Sequence, residues 1–142
     1  MSRGIRNNNP GNIRHSSQLW RGEITLGESS VGGDAQFKSF SSMEWGYRAM
    51  FKLLHNYSVK SGCITLKDMI TRWAPPSENN TQAYTDAVSR WSGIDARERV
   101  DTLNPTVMCP IVASMSRMEN GVAAAMEDVN KGWRLFAQEY GL

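Results

Sequence analysis

The chain has few cysteines and no long hydrophobic run. Cys63 and Cys109 stand far apart, outside any metal-ligand spacing and in or beside segments that look packed, so we expect two buried free thiols rather than a disulfide. No apolar stretch approaches the length that spans a bilayer, so we expect no membrane insertion. The N-terminal residues lack the apolar core of a signal peptide, which predicts synthesis in the cytoplasm without one.

Strong charge and the common catalytic signatures are also missing. The net charge is +2, too weak for the clustered basic face of a nucleic-acid binder, although it suits an acidic polymer such as a cell wall. His15 and His55 form no ligand-spaced pair, so we expect neither a metal nor a cofactor. There is no Gly-x-Ser-x-Gly elbow and no phosphate-binding loop. Acid chemistry from carboxylates is what remains.

The 142 residues are long enough for one domain with its own core. Residues 1–40 are rich in Gly, Asn and Ser and predict a small irregular lobe, with turn and loop at Arg6–Asn12. Short strands or extended pieces are expected at Trp20, Ile24–Leu26 and Gln36–Phe40. Residues 41–142 predict a helical lobe. The expected fold class is therefore mainly α.

Five helices are predicted in the second lobe from their start and stop signals. The start signals are a Ser41–Glu44 capping box, Thr65 with Asp68, Thr81, Asn104 with Pro105, and a start within Val122–Met126. The stop signals are a first end near residue 59, Pro75-Pro76, Gly93, Asn120-Gly121 and a last end near Tyr140. Pro110 is expected to break or kink its helix. The expected inner side of the last helix consists of Val122, Met126, Val129, Trp133 and Phe136.

The most informative stretch is Pro110–Gly121, where an apolar helical run stops at one acidic residue, Glu119. The helix macrodipole opposes a negative charge at this end, by a few tenths of a kcal/mol to about 1 kcal/mol. This favours the protonated carboxyl that a glycosidase needs as its general acid. The alternative is an ordinary helix end, with Asn120-Gly121 as a left-handed C-cap and Glu119 pointing into water.

Two other segments place amide side chains beside aromatic rings. Amides both donate and accept hydrogen bonds, and flat rings cover the apolar faces of sugars, so together they suit a carbohydrate cleft. The alternatives are loop chemistry for the asparagines and core packing for the aromatic residues. The candidate substrate-binding residues are Asn8, Asn9, Asn12, Trp20, Trp73, Asn80 and Tyr84.

Three motifs carry a family resemblance: Arg3–Arg14 (RGIRNNNPGNIR), Phe37–Gly46, and Arg72–Thr81 (RWAPPSENNT). They resemble the phage and prophage virion structural protein family with a lysozyme-like fold. Separately, Ile111–Gly121 resembles the helix of lytic transglycosylases and goose-type lysozymes that ends in the catalytic glutamate. The resemblance implies a lysozyme-like helical domain with Glu119 as the general acid.

The order of these motifs is unusual. In bacterial glucosaminidases and lysozyme relatives, the catalytic helix precedes a loop resembling Asn9–Ile13 and a stretch resembling Phe37–Ser42, whereas here it follows them. We therefore expect a circular permutation, with Glu119 beside the N-terminal asparagine loop. Such rewiring is inexpensive because chain termini are often adjacent at a surface.

The leading hypothesis is a phage- or prophage-derived, virion-associated enzyme that cleaves the glycan strands of peptidoglycan as a muramidase or lytic transglycosylase. A hydrolase would use a second carboxylate, for which Glu23 is favoured over Glu28 and Asp34; a transglycosylase would need none. The expected partners are peptidoglycan strands and other virion proteins. The rival hypothesis is a non-catalytic virion protein that keeps the lysozyme-like shape for assembly or glycan binding.

Overall fold

The computed structural model describes residues 1–25 and 34–142. The fold is mainly helical, as predicted. Within the described ranges, no helix combines the length and apolar character needed to cross a membrane. The elements in chain order are α1 (Arg3–Arg6), β1 (Glu23–Ile24), β2 (Ser39–Phe40), α2 (Met43–Ser61), α3 (Leu66–Trp73), α4 (Thr81–Ser92), α5 (Pro105–Asn120) and α6 (Met126–Gln138).

The small lobe is organised by one short helix and one two-stranded ribbon. Strands β1 and β2 pair antiparallel with Glu23 opposite Phe40, which confirms short strands in this lobe. The helix α1 was not predicted; its N-cap is Ser2, whose hydroxyl accepts from the amide of Ile5. The predicted strand residue Leu26 lies outside the described residues.

The core of the helical lobe lies where α2 packs along α6. The ring of Phe51 meets Trp133 edge-on at 5.1 Å and stacks on Phe136 at 6.0 Å. Val129, Trp133 and Phe136 are buried as predicted. Val122 and Met126 were also expected inside and are exposed, because one precedes α6 and the other begins it.

Helix starts were predicted with mixed success. The capping box of Thr65 with Asp68 is present, and Asn104 caps α5 ahead of Pro105, as predicted. The expected Ser41–Glu44 box is wrong: α2 begins one residue later, after Ser42, whose hydroxyl makes no capping bond. The third predicted helix, α4, is capped by Asn80 rather than Thr81, because the Asn80 side chain accepts a hydrogen bond from the amide of Ala83.

The prediction that Pro110 breaks its helix is wrong, because α5 runs without a break from Pro105 to Asn120, and the alternative of a kink stays a prediction. Proline removes one backbone donor from a helix interior. Burial of Ile111, Val112 and Met115 on the following turns holds the helix in one piece.

Both cysteines are free thiols, as predicted. Cys109 is buried in α5, and this burial raises the pKa of its thiol to about 11. Cys63 is only half-buried, which differs from the expectation that both would be enclosed.

Candidate functional site

Glu119 lies in the last turn of α5, and its carboxylate is half-buried between two other parts of the chain. The Asn12 amide donates to Oε1 at 2.9 Å, and the Tyr84 phenol donates to Oε2 at 2.8 Å. Asn12 comes from the N-terminal loop and Tyr84 from α4. The structure therefore brings together one candidate residue from each of the three polar segments.

The residue after Glu119 ties the end of α5 to the N-terminal loop. Asn120 donates to the carbonyl of Pro10 at 2.9 Å and accepts from the Ser2 hydroxyl at 2.6 Å. Gly4 permits this approach, because a Cβ there would lie 2.3 Å from Asn120 Oδ1. Gly121 then ends the helix in the left-handed conformation, with φ of 74°.

The asparagine loop is held mainly by its own side chains. Asn9 is fully buried; it donates to the carbonyls of Ile13 and Lys38 and accepts from the amide of Ile13. Asn8 donates to the carbonyl of Phe40 at 3.1 Å. Asn8 and Asn9 are thus committed to the fold, and Asn12, at φ of 50°, is the asparagine that faces Glu119.

Trp73 forms the wall of the cleft opposite the loop. Gly11 lies so close to the indole that a Cβ there would be 2.7 Å from Trp73 Cζ2. A side chain at position 11 would therefore push loop and indole apart. Because Gly11 has no side chain, the Pro10-Gly11 turn can contact Trp73 at the end of α3, and both line the cleft.

The cleft has two adjoining halves. The acid half has a volume of about 170 Å³. Its lining includes Glu119, Glu78 and Asn79. The aromatic half has a volume of about 180 Å³ and is lined by Tyr57 and Leu53. Both halves share Gly11, Asn12, Arg14 and Trp73. Together they reach the lower end of the roughly 300–1,000 Å³ typical of ligand sites.

Tyr84 serves as a fixed donor at the inner end of this arrangement. Its side chain is buried, and burial, with the adjacent charge of Glu119, holds the pKa of the phenol well above its usual range. The phenol therefore keeps its proton at neutral pH. Tyr84 thus packs in the core, which was one of its two alternatives, and its contact with a substrate stays a prediction.

The other candidate carboxylates lie elsewhere. Glu23 is buried on β1, where both oxygens accept from the fully buried Lys38 ammonium at 3.0 Å. Asp34 accepts two hydrogen bonds from Arg3, which hold the pKa of its carboxyl well below the usual range. Neither lines the cleft. Glu28 lies outside the described residues.

Two candidate binding residues also occupy structural positions. Trp20 is buried in the core, and its backbone amide donates to Glu23. Asn80 uses its side chain as the N-cap of α4. Three polar or charged residues outside the predicted binding set line the cleft instead: Arg14, Glu78 and Asn79. The available signal was the polar segment after Pro75-Pro76, whose residues Glu78 and Asn79 line the same half of the cleft as Trp73.

A larger cavity of about 430 Å³ lies at a different place, bordered by residues including His55, Ile64 and Thr102. It shares no lining residue with the cleft. Burial and nearby Lys52 lower the pKa of His55, and its ring nitrogen bonds the Thr102 hydroxyl at 2.8 Å. Across residues 1–25 and 34–142, no group of three His, Cys, Asp or Glu side chains is arranged to hold a metal ion.

Comparison with known proteins identifies a phage protein as a relative of this chain. No family model matches the chain. The chain is similar to Protein P5 of Pseudoalteromonas phage PM2, with 34% identity over 133 residues, covering 93% of this chain and 80% of the phage protein. At this identity and coverage, the chain belongs to the family of phage PM2 Protein P5.

Proposed function

We propose that this protein is a phage-type enzyme that cleaves the glycan strands of peptidoglycan. The observation that supports it best is the carboxylate of Glu119 at a helix end, which lines a two-part cleft with Trp73 and accepts hydrogen bonds from Asn12 and Tyr84. Aromatic and amide side chains around one carboxyl suit a sugar bound across its reacting bond.

In this proposal Glu119 is the general acid. Its proton passes to the glycosidic oxygen as the bond from that oxygen to the anomeric carbon breaks. Asn12 and Tyr84 are positioning residues, because each fixes one carboxyl oxygen. The sugar's own hydroxyl would close on the anomeric carbon in a lytic transglycosylase. Water would add there in a hydrolase.

A hydrolase would also use a second carboxylate as base or electrostatic partner. Among the described residues, Glu78 lines the same half of the cleft as Glu119, and its side chain is exposed. Glu23 is committed to Lys38 instead. We therefore assign the second role to Glu78 if the reaction is hydrolysis.

The lysozyme-like fold and its circular permutation are part of the same proposal. Their support is the contact between the end of α5 and the N-terminal loop, made by Asn120 to Pro10 and Ser2. A permuted chain requires this neighbourhood. Association with a phage particle and its proteins is supported by the phage origin of the relative.

One observation favours the rival function, a non-catalytic phage protein. Both Glu119 oxygens already accept hydrogen bonds from the protein itself, as the carboxylate of a purely structural residue would. Such a protein would keep the cleft for glycan binding or assembly and release no product.

The deciding experiment measures turbidity loss of purified sacculi and the mass of the released fragments. Glu119→Gln keeps the size of the side chain, and it should reduce activity by a factor of about 100 to 10,000. The matched control is Glu127→Gln on α6, whose side chain is 80% exposed. Anhydro-muropeptides identify a transglycosylase and reducing ends a hydrolase. No product from the wild type, or full activity in Glu119→Gln, contradicts the proposal.

A further inference from the structure

The two halves of the cleft differ in charge. The acid half contains two acidic side chains, Glu78 and Glu119, and it shares Arg14 with the other half. In the aromatic half, Arg14 is the one charged side chain among the described lining residues. Arg72 lies next to a residue of that half, with its guanidinium 5.1 Å from the ring centre of Tyr57. An anionic group on a ligand is therefore repelled from the first half and attracted to the second.

Arg14 is available to such a group. Its side chain is 63% exposed, and its guanidinium lies 3.7 Å from a carboxylate oxygen of Glu78, whose side chain is 58% exposed. Ion pairs this open contribute about 0–1 kcal/mol. The guanidinium also lies 5.4 Å from the ring centre of Phe37, which limits where it points. A ligand carboxylate can therefore replace Glu78 at little expense.

The geometry of arginine suits a carboxylate. Its planar fork donates two parallel hydrogen bonds to the two oxygens of one carboxylate, which a lysine ammonium cannot match. The rings of Tyr57 and Trp73 lie edge-on to one another at 6.3 Å between centres and line the same half. The two rings can thus pack against the apolar face of a sugar, and the guanidinium of Arg14 can bind a carboxylate on that sugar.

Building on the proposed function, we infer that the aromatic half takes the sugar that carries an acidic substituent, and that Arg14 binds its carboxylate. The ligand class is an oligosaccharide with carboxylates on alternate sugars. Two sources share this chemistry: a free lactyl ether on the sugar, or the carboxylates of a peptide attached through that lactyl group. When the carboxylate occupies Arg14, Glu78 is released toward the acid half.

The test is calorimetric binding in the Glu119→Gln background, so that ligands stay intact. Three tetrasaccharides are compared: neutral chitotetraose, peptide-free strands with lactyl carboxylates, and strands carrying stem peptides. We expect a carboxylate-bearing strand to bind about tenfold more tightly than chitotetraose, the scale of one charge-assisted contact. Adding Arg14→Gln should remove this preference, because it should weaken binding of the carboxylate-bearing strand about tenfold more than binding of chitotetraose, whereas Arg14→Lys should keep part of the preference. The matched control is Arg134→Gln, an exposed arginine on α6.

Preference for the lactyl strand identifies the first source, and preference for the peptide-bearing strand alone identifies the second. Equal binding of all three ligands, no binding at all, or an undiminished preference in Arg14→Gln overturns the inference. Failure of the proposed function looks different, because the Glu119-containing protein then releases no fragments even when the carboxylate preference is present.

Discussion

At the scale of single residues, the contacts of each side chain show whether it belongs to the candidate site or to the fold. Tyr84 is the clearest case: it packs in the core, and its hydroxyl contacts Glu119 at 2.8 Å. Asn79 and Asn80 are adjacent, yet one lines the cleft and the other caps a helix. Substitutions at these three positions separate function from stability.

Tyr84→Phe removes the donor to Glu119 and keeps the packed ring. We expect activity on sacculi to fall about tenfold or more, because a hydrogen bond to a charged group contributes roughly 1.5–3 kcal/mol. Tyr47→Phe, which removes the hydroxyl contact to Ser116, is the control and should keep its activity. Equal activity of wild type and Tyr84→Phe would contradict the positioning role.

Asn80→Ala should destabilise the protein by about 1 kcal/mol, the usual effect of losing an N-cap side chain. Binding of chitotetraose should be unchanged. Asn79→Ala should do the reverse, weakening binding while thermal unfolding stays within about 0.5 kcal/mol of wild type. Calorimetric titration and thermal melts of both variants check this pair. The expectation fails if Asn80→Ala weakens binding without lowering the melting temperature.

At the scale of elements, the cleft depends on close approaches between backbone segments. Helix α2 passes the asparagine loop at Gly46, where a Cβ would be 2.2 Å from the carbonyl oxygen of Asn8. Gly11 meets Trp73 in the same way at the end of α3. The loop is thus enclosed between two helices, and its shape follows theirs.

Gly11→Ala should widen the cleft as well as destabilise the fold. The added methyl group would have to displace the Trp73 indole, and overpacking of this kind costs typically 1–3 kcal/mol. Urea unfolding should report the loss, and the tryptophan emission should shift as Trp73 moves. Gly93→Ala is a useful comparison, because its Cβ meets nothing within 4 Å and its penalty arises from the left-handed φ alone. Equal emission spectra of wild type and Gly11→Ala would contradict the displacement.

The sequence was sufficient for helices with local signals and insufficient for the roles of the small lobe. Thr65 with Asp68 and Asn104 with Pro105 marked their helices because those signals act over one turn. Asn9 and Asn12 have the same chemistry in the sequence. Only the tertiary fold determines that one is buried against Lys38 and the other faces Glu119. Likewise, no local pattern reveals that Glu23 pairs with Lys38.

At the scale of the whole molecule, ion pairs whose carboxylates have little solvent exposure connect elements within the small lobe and within the helical lobe. Asp34 joins α1 to the start of the β2 segment through Arg3, Asn7 and the amides of Gln36 and Phe37. Glu139, at the end of α6, accepts from Arg48 and Lys52 of α2, and these hydrogen bonds lower the pKa of its carboxyl against the opposing effect of burial. The fold therefore requires these carboxylates in their ionised form.

The stability of the protein should consequently fall in acid. Because the folded pKa of Asp34 lies below its unfolded value of about 3.9, its contribution is fully present above that value and disappears as the pH falls below it. Urea unfolding at pH 6 and pH 3 should show this loss. Asp34→Asn should be less stable at pH 6 and less sensitive to acid. An Asp34→Asn protein with the wild-type pH dependence would show that other groups control the transition.

The tie between Asn120 and Ser2 joins positions 118 residues apart, and Asn12 and Glu119 are separated by 107. Closing loops of this length is entropically unfavourable and tends to be late in folding. At synthesis rates of about 5–20 residues per second, the N-terminal loop and α4 leave the ribosome seconds before α5. A nascent chain would therefore expose Asn12 and Tyr84 without the carboxylate between them. Glu119 would reach Asn12 and Tyr84 only after α5 had left the ribosome, so on the proposed function the nascent chain would lack its acid until then.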